Sequence, residues 1–307
     1  MPVLVKNNLP VIEKLEQEGL FVMKSKRAAS QDIRPLKIAL ANLMPSKIST
    51  ELQFLRLLSN SPLQIEITLL RMDSHTSKHT DNDYLKQFYV SPKQIEHQRF
   101  DGMIITGAPV ETMAFEQVDY WPEICALMDY TRAHVFSTMY ICWGAQAGLY
   151  HHYGIQKHLL PKKCFGVFAH TPHEPHHLLL KGADSQVFVP HSRHSGWKIK
   201  DIENHPDLHI ALDAKEAGAC IVMAHEARQI FISGHFEYDA DTLANEYFRD
   251  LKKGMAIQMP KHYFKDNDPQ KGSYFNWRAH ANLIFSNWLN YIVYQRTPFD
   301  LNDLTRI

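Results

Sequence analysis

Tyr140-Ile141-Cys142-Trp143-Gly144-Ala145-Gln146-Ala147-Gly148 closes an apolar run that begins at His134. The residues after the cysteine are mostly small, so a helix can start at once and lie close against a sheet. That is the requirement of a sharp strand-to-helix turn, which lifts a nucleophile above the sheet edge. A helix N-terminus beneath a thiol favours the thiolate, because unpaired N–H groups and the helix dipole stabilise negative charge there. Farther along, Ile230-Phe231-Ile232-Ser233-Gly234-His235-Phe236-Glu237 reads as a second buried strand ending in a base and a carboxylate. If that segment is extended, His235 and Glu237 point to one side. Cys142, His235 and Glu237 then form a nucleophile, its general base and an orienting acid.

Working outward, apolar strands alternate with helical stretches. Leu36 to Met44, Ile65 to Met72 and Gly102 to Thr106 read as strands; Glu51 to Leu58, Asp81 to Phe88 and Trp121 to Arg132 read as helices. Strands that are continuously apolar imply an α/β fold whose mostly parallel sheet is covered by helices on both faces. Residues 1–34 are mixed and charged and read as an N-terminal arm, and 35–307 as a single domain. The stretch from Pro161 to Gly218 reads as irregular and rich in Pro and His. It then gives short strands near Val187 to Pro190, His209 to Leu212, Ala219 to Met223 and Gln229 to Ser233, and Lys163 and Ser192 are placed in loops. Ligands of open parallel sheets bind beyond the carboxyl ends of the strands. Gly107, Cys142 and His235 all fall at such ends.

Composition narrows the function classes. With 33 basic and 33 acidic residues the formal net charge is zero, so no nucleic-acid footprint or membrane-surface patch is expected. No apolar run approaches the ~20 residues of a bilayer span. The four cysteines are widely spaced without a CxxC pair, which fits a reducing cytoplasm and neither a disulfide framework nor a thiolate zinc site. Among 19 histidines, the group His170, His173, His176 and His177 invites a metal reading, but its spacing matches no common zinc pattern. No metal is expected.

Cys142-Trp143-Gly144-Ala145-Gln146 and His235-Phe236-Glu237 resemble the Cys-x-Gly-x-Gln and His-x-Glu pattern of the class I glutamine amidotransferases, which have a flavodoxin-like fold. Tyr140 departs from the glycine usual there. Ala41-Asn42-Leu43-Met44-Pro45 with Lys47, Thr106-Gly107-Ala108-Pro109, Tyr140 to Gln146 and Gly234 to Tyr238 are more specific. By them the chain is identified as a member of the homoserine O-acyltransferase family of methionine biosynthesis.

The resemblance implies ping-pong acyl transfer from a coenzyme A thioester to the γ-hydroxyl of L-homoserine, with Cys142 carrying the acyl group. His235 would be the base and Glu237 its orienting partner. The backbone N–H of Trp143 would stabilise the oxyanion, with a second donor at Gly107, Ala108 or Lys47. Lys163, Ser192 and Arg249 would bind homoserine, although Arg249 falls opposite the apolar stripe of its helix. No resident cofactor is implied, and a homodimer is. Within the family, glutamate after the Thr-Gly-Ala-Pro motif goes with acetyl-CoA and glycine with succinyl-CoA. Here the residue is Glu111, which would fill the space of a succinyl tail and repel its carboxylate. At about 4 Å that repulsion is ~4 kcal/mol at an effective dielectric of ~20, nearly a thousandfold. The donor expected is acetyl-CoA. The alternatives are succinyl-CoA, a glutamine amidotransferase subunit and a binding module without catalysis.

Overall fold

A computed structural model describes residues 3–5, 9–17, 22–24, 34–74 and 80–307. A twelve-stranded sheet runs through the molecule. Its central strands are β3 (Leu36–Ala41), β4 (Ile65–Leu70), β6 (Phe100–Ile105), β7 (Val135–Ile141) and β12 (Gln229–Ile232), in the order β4-β3-β6-β7-β12 and all parallel. The two-residue β5 (Tyr89–Val90) pairs with β4. Beyond β12 the sheet turns antiparallel through β11 (Gly218–Ala224), β10 (His209–Ala214), β8 (His158–Pro172) and β9 (Val187–Gly196).

Alternation along the buried strands divides the core into two layers, because successive side chains point to opposite faces. Ile38, Leu40, Ile104, Met139 and Ile141 join one apolar cluster; Ala39, Ala41, Met103, Ile105 and Tyr140 join the other. The first layer is covered by α1 (Val11–Gln17), α2 (Lys47–Ser59) and α8 (Arg278–Asn287), the second by α4 (Trp121–His134) and α5 (Trp143–Tyr153). Three further helices, α3 (Asn82–Phe88), α6 (Ile199–Glu203) and α7 (Thr242–Lys252), complete the described set of α-helices. None is long and apolar enough to cross a membrane. This is the α/β layering that continuous apolar strands predict.

Where the stretch expected as an N-terminal arm is described, β1 (Val3–Val5) and β2 (Val22–Lys24) extend the parallel sheet at the β4 edge, and Val11, Ile12 and Leu15 of α1 are buried. The rest of that arm lies outside the described residues. The irregular middle needs a larger correction. β8 and β9 form a long antiparallel pair that carries Lys163, Cys164 and Ser192, so these are strand rather than loop residues. The register breaks between Leu159 and Cys164, around Pro161, which has no N–H to donate. A bulged strand with proline in it loses the period-two pattern that would announce it.

Close approach of α5 to the sheet depends on glycine. A Cβ at Gly144 would lie 2.7 Å from the Thr106 carbonyl oxygen and 2.8 Å from that of Ile105. Both obstacles are backbone and cannot swing aside. Gly144→Ala is therefore expected to lift the helix start and cost about 1–3 kcal/mol, read as a lower midpoint in urea unfolding at unchanged slope.

Candidate active site

β7 ends at Ile141, and α5 begins two residues later, so Cys142 takes the whole reversal of chain direction. Its backbone sits at φ 50°, ψ −112°, a left-handed conformation that side-chain-bearing residues adopt only under constraint. The constraint is visible: Cys142 N–H donates to the Ile232 carbonyl at 2.7 Å, tying the turn to the neighbouring strand. The side chain is 6% exposed. Trp143 opens the helix, so its N–H belongs to the first turn, whose amides lack intrahelical acceptors.

β12 ends at Ile232, and His235 and Glu237 lie in the turn that follows, not in an extended segment. The turn nevertheless pairs them: His235 Nδ1 donates to Glu237 Oε1 at 2.6 Å. The imidazole also hydrogen-bonds the Cys142 sulfur, so carboxylate, imidazole and thiol form one chain of contacts. His235 N–H donates to Pro190 O at 2.8 Å, and Gly234 allows the approach, since a Cβ there would come within 2.5 Å of Val189 Cγ1. Tyr238 stacks on the imidazole, with ring centroids 4.1 Å apart at 11°. Burial opposes a charge on His235, but the Glu237 carboxylate and the Cys142 sulfur outweigh it and raise its pKa well above the ordinary value. A protonated imidazole beside sulfur is the ion pair that an activated thiol requires.

A cleft of about 610 Å³ opens over Cys142. Gly107, Ala108, Glu111, Lys163, Ser192 and Arg249 all line it. A Cβ at Gly107 would sit 3.2 Å from Cys142 Cβ, so a side chain there would crowd the cysteine. Lys47 is placed differently. Its ammonium donates to Asn42 O and is attracted by Glu51, and Lys47 is not among the residues lining the cleft. Burial pushes Lys47 down to about 8 despite the attraction of Glu51.

One cleft residue, Glu246, escaped the sequence reading. Glu246 accepts from Ser192 Oγ at 2.5 Å, pairs with Lys163 Nζ at 3.3 Å and accepts from Tyr238 OH at 3.3 Å. It precedes Arg249 by three positions on α7, which places both on one face; that spacing was the available signal. The polar face of α7 is the one turned to the cleft, while Leu243 is buried and Phe248 and Leu251 of the expected apolar stripe are exposed. Around Glu111, Ser195 Oγ lies 3.4 Å from its carboxylate and 2.8 Å from Gln146 Oε1, and Lys157 Nζ donates to the Glu111 carbonyl at 3.0 Å. Ser195, Gln146 and Lys157 thereby hold the turn that carries Glu111.

The histidine group scatters. His173 pairs with Asp213 at 2.8 Å, and His177 Nδ1 accepts from Leu179 N–H. His170 instead meets His191 and Cys220 in a buried cluster with metal-ligand proximity. Its proton arrangement opposes a cation. Arg193 Nε donates to His191 Nδ1, so that nitrogen must accept, His191 Nε2 carries the proton, and His170 Nε2 receives it at 3.2 Å. The more exposed Asp129, His151 and His152 are also close together, but His152 Nε2 is held by Tyr140 OH at 3.1 Å. Tyr140, replacing the usual glycine, stacks on Phe231.

Glu237→Gln tests the charge balance. It keeps an acceptor for Nδ1 but removes the charge that overrides burial. Acylation of Cys142 is expected to fall ~100-fold or more, and the midpoint of its iodoacetamide alkylation profile to move to higher pH.

The homoserine O-succinyltransferase family matches residues 2–299. The homoserine O-acetyltransferase of Methanomethylophilus alvi is 53% identical over 304 residues, which cover 99% of this chain and 98% of that protein. That of Brevibacillus brevis is 54% identical over 303 residues, 99% of each chain. That of Clostridium acetobutylicum is 53% identical over 301 residues, 98% of this chain and all of that one (100%). Among solved structures, a glutamine amidotransferase from Thermotoga maritima superposes with a TM-score of 0.55 at 8% identity, covering 86% of this chain and 100% of that one. Another from Methylobacillus flagellatus gives 0.53 at 14% identity, covering 85% and 96%. These likenesses show the class I glutamine amidotransferase-like fold. With a family match across nearly its whole length and full-length relatives at more than half identity, the chain belongs to the homoserine O-acyltransferases of methionine biosynthesis, described as the homoserine O-succinyltransferase family.

Proposed function

We propose that the protein transfers an acetyl group from acetyl-CoA to the γ-hydroxyl of L-homoserine, giving O-acetyl-L-homoserine and CoA. The observation that carries this reading is the continuous contact from Glu237 through His235 to Cys142 at the floor of a cleft lined by charged groups of both signs. Full-length relatives carrying the acetyltransferase name support it.

In the first half-reaction Cys142 Sγ attacks the thioester carbonyl, and the carbonyl oxygen becomes negative. Trp143 N–H at the start of α5 is the donor expected for it, because it points out of the helix end beside the sulfur. Gly107 and Ala108, whose backbone passes directly against Cys142, are better placed for the second donor than Lys47, whose ammonium is engaged by Asn42 O. As the tetrahedral adduct collapses, the CoA sulfur leaves with the proton held by His235, and the acyl group stays on Cys142. In the second half-reaction His235 takes the proton of the homoserine hydroxyl as its oxygen attacks the acyl-cysteine. The adduct then collapses with cleavage of the bond from the acyl carbon to Cys142 Sγ, and the sulfur leaves beside the protonated imidazole. Glu237 holds the ring in the tautomer both steps need.

Homoserine brings an ammonium and a carboxylate. Glu246 is the acidic partner suited to the first; Lys163 and Arg249 suit the second, with Ser192 hydrogen-bonding between them. Glu111 supports acetyl over succinyl, since its side chain stands in the cleft and is held there by Ser195. The family description and the relatives' names differ on the acyl group; the Glu111 carboxylate favours the smaller, uncharged one. The co-substrates are free metabolites, and a cytoplasmic setting suits them.

Intact-mass measurement after acetyl-CoA treatment without homoserine is expected to find one acetyl group per chain, lost on adding homoserine and absent from Cys142→Ala. A stable unmodified mass would refute the acyl-enzyme route, and glutamate release from glutamine would favour an amidotransferase instead. Glu111→Gly is expected to weaken acetyl-CoA use and admit succinyl-CoA, measured as the ratio of the two kcat/KM values.

A further inference from the structure

The cleft over Cys142 continues past Lys163. A second hollow of about 320 Å³ adjoins it, and Lys163, His194, Asp250 and Met255 line both spaces, making one groove that runs from the nucleophile toward the surface. The walls of the extension mix apolar and polar side chains. Phe165 and Ile257 lie along it, and Met255, at 53% exposure, leaves its thioether side chain uncovered.

Its rim is cationic. Lys162 and Lys253 are exposed and form no salt bridge among the described residues, and His194 is exposed beside them. The nearby carboxylates are already engaged, Glu246 by Lys163 at 3.3 Å and Asp250 by Arg249 at 2.7 Å. At the other end of the cleft stand Met44, Pro45, Pro109 and Thr112, and the single charge there is the Glu111 carboxylate. A ligand with an amphipathic arm and several phosphates is attracted to the first end and repelled by the second.

We propose that this extension is the subsite for the pantetheine arm and phosphorylated nucleotide of the acyl-CoA donor. The assignment rests on the acyl-transfer reading above. It also explains how Lys163 can line both subsites. The bond between Cys142 Sγ and the acetyl carbon forms as the carbon–sulfur bond to CoA breaks. CoA then departs as the thiol before homoserine enters, so the same stretch of groove serves the two ligands in turn.

The test compares acetyl-CoA with S-acetyl-N-acetylcysteamine, which presents the same thioester without a nucleotide. In the double variant Lys162→Glu, Lys253→Glu, kcat/KM for acetyl-CoA relative to the truncated donor is expected to fall about tenfold or more. Added salt is expected to erode the wild-type ratio in the same direction. An unchanged ratio, or a parallel loss with both donors, overturns the subsite. A wild-type chain that acylates Cys142 from neither donor fails earlier and differently: that result removes the acyl-transfer reading, and the subsite with it.

Discussion

The site depends on one backbone constraint: Cys142 is held at a positive φ between a strand and a helix that starts at once. A conformation of this kind costs on the order of 1–3 kcal/mol and persists only where surroundings over-determine it. Here three contacts do so. The N–H of Cys142 is bound to Ile232 O, its carbonyl accepts from Gln146 N–H at 3.1 Å, and Gly144 lets the helix start against the Thr106 and Ile105 carbonyls. The same hydrogen bond to Ile232 fixes the end of β7 relative to the end of β12, and so sets where the turn carrying His235 can begin. Strain at the nucleophile and alignment of its base have one structural cause.

Electrostatics then follow from burial. His235 and Glu237 are 4% and 7% exposed, and an unpaired charge in such a place would be driven neutral. The carboxylate and the sulfur reverse that tendency at the imidazole. Elsewhere desolvation wins. It pushes the Cys220 thiol up to about 12 and holds His170 at about 4. His170 and His235 thus shift in opposite directions although both are buried, and the difference is the carboxylate and sulfur beside His235, not exposure.

Much of this was legible in the chain. Buried parallel strands announce themselves as continuous apolar runs, and Cys142 with its small followers marks the elbow. The pairing of His235 with Glu237 was inferred from extended geometry that the chain does not adopt; a turn brings the same side chains together. Only the start of β9, near Val187 to Pro190, is legible, and β8 is not, because proline and a register break erase alternation and their burial depends on partners remote in sequence. Glu246 was missed for a related reason: on α7 a polar face looks solvated until the cleft is placed beneath it. Lys47 sits within a recognisable motif, yet its ammonium turns to Asn42 O and Glu51, a choice that no spacing could reveal.

On the proposed reading, the polar pocket beside Cys142 receives a zwitterion without stranding charge. Glu246 already accepts from Lys163, Ser192 and Tyr238, so neither its carboxylate nor the lysine is left bare. An arriving ammonium can replace Lys163 at Glu246 while the substrate carboxylate takes up the released lysine, an exchange of pairs that avoids burying an isolated ion. Tyr238 links the two groups, because its hydroxyl binds Glu246 while its ring stacks on His235. On the proposed reading, the side chain that supports the partner of the substrate ammonium also packs on the general base, so one residue holds the homoserine pocket in register with the imidazole.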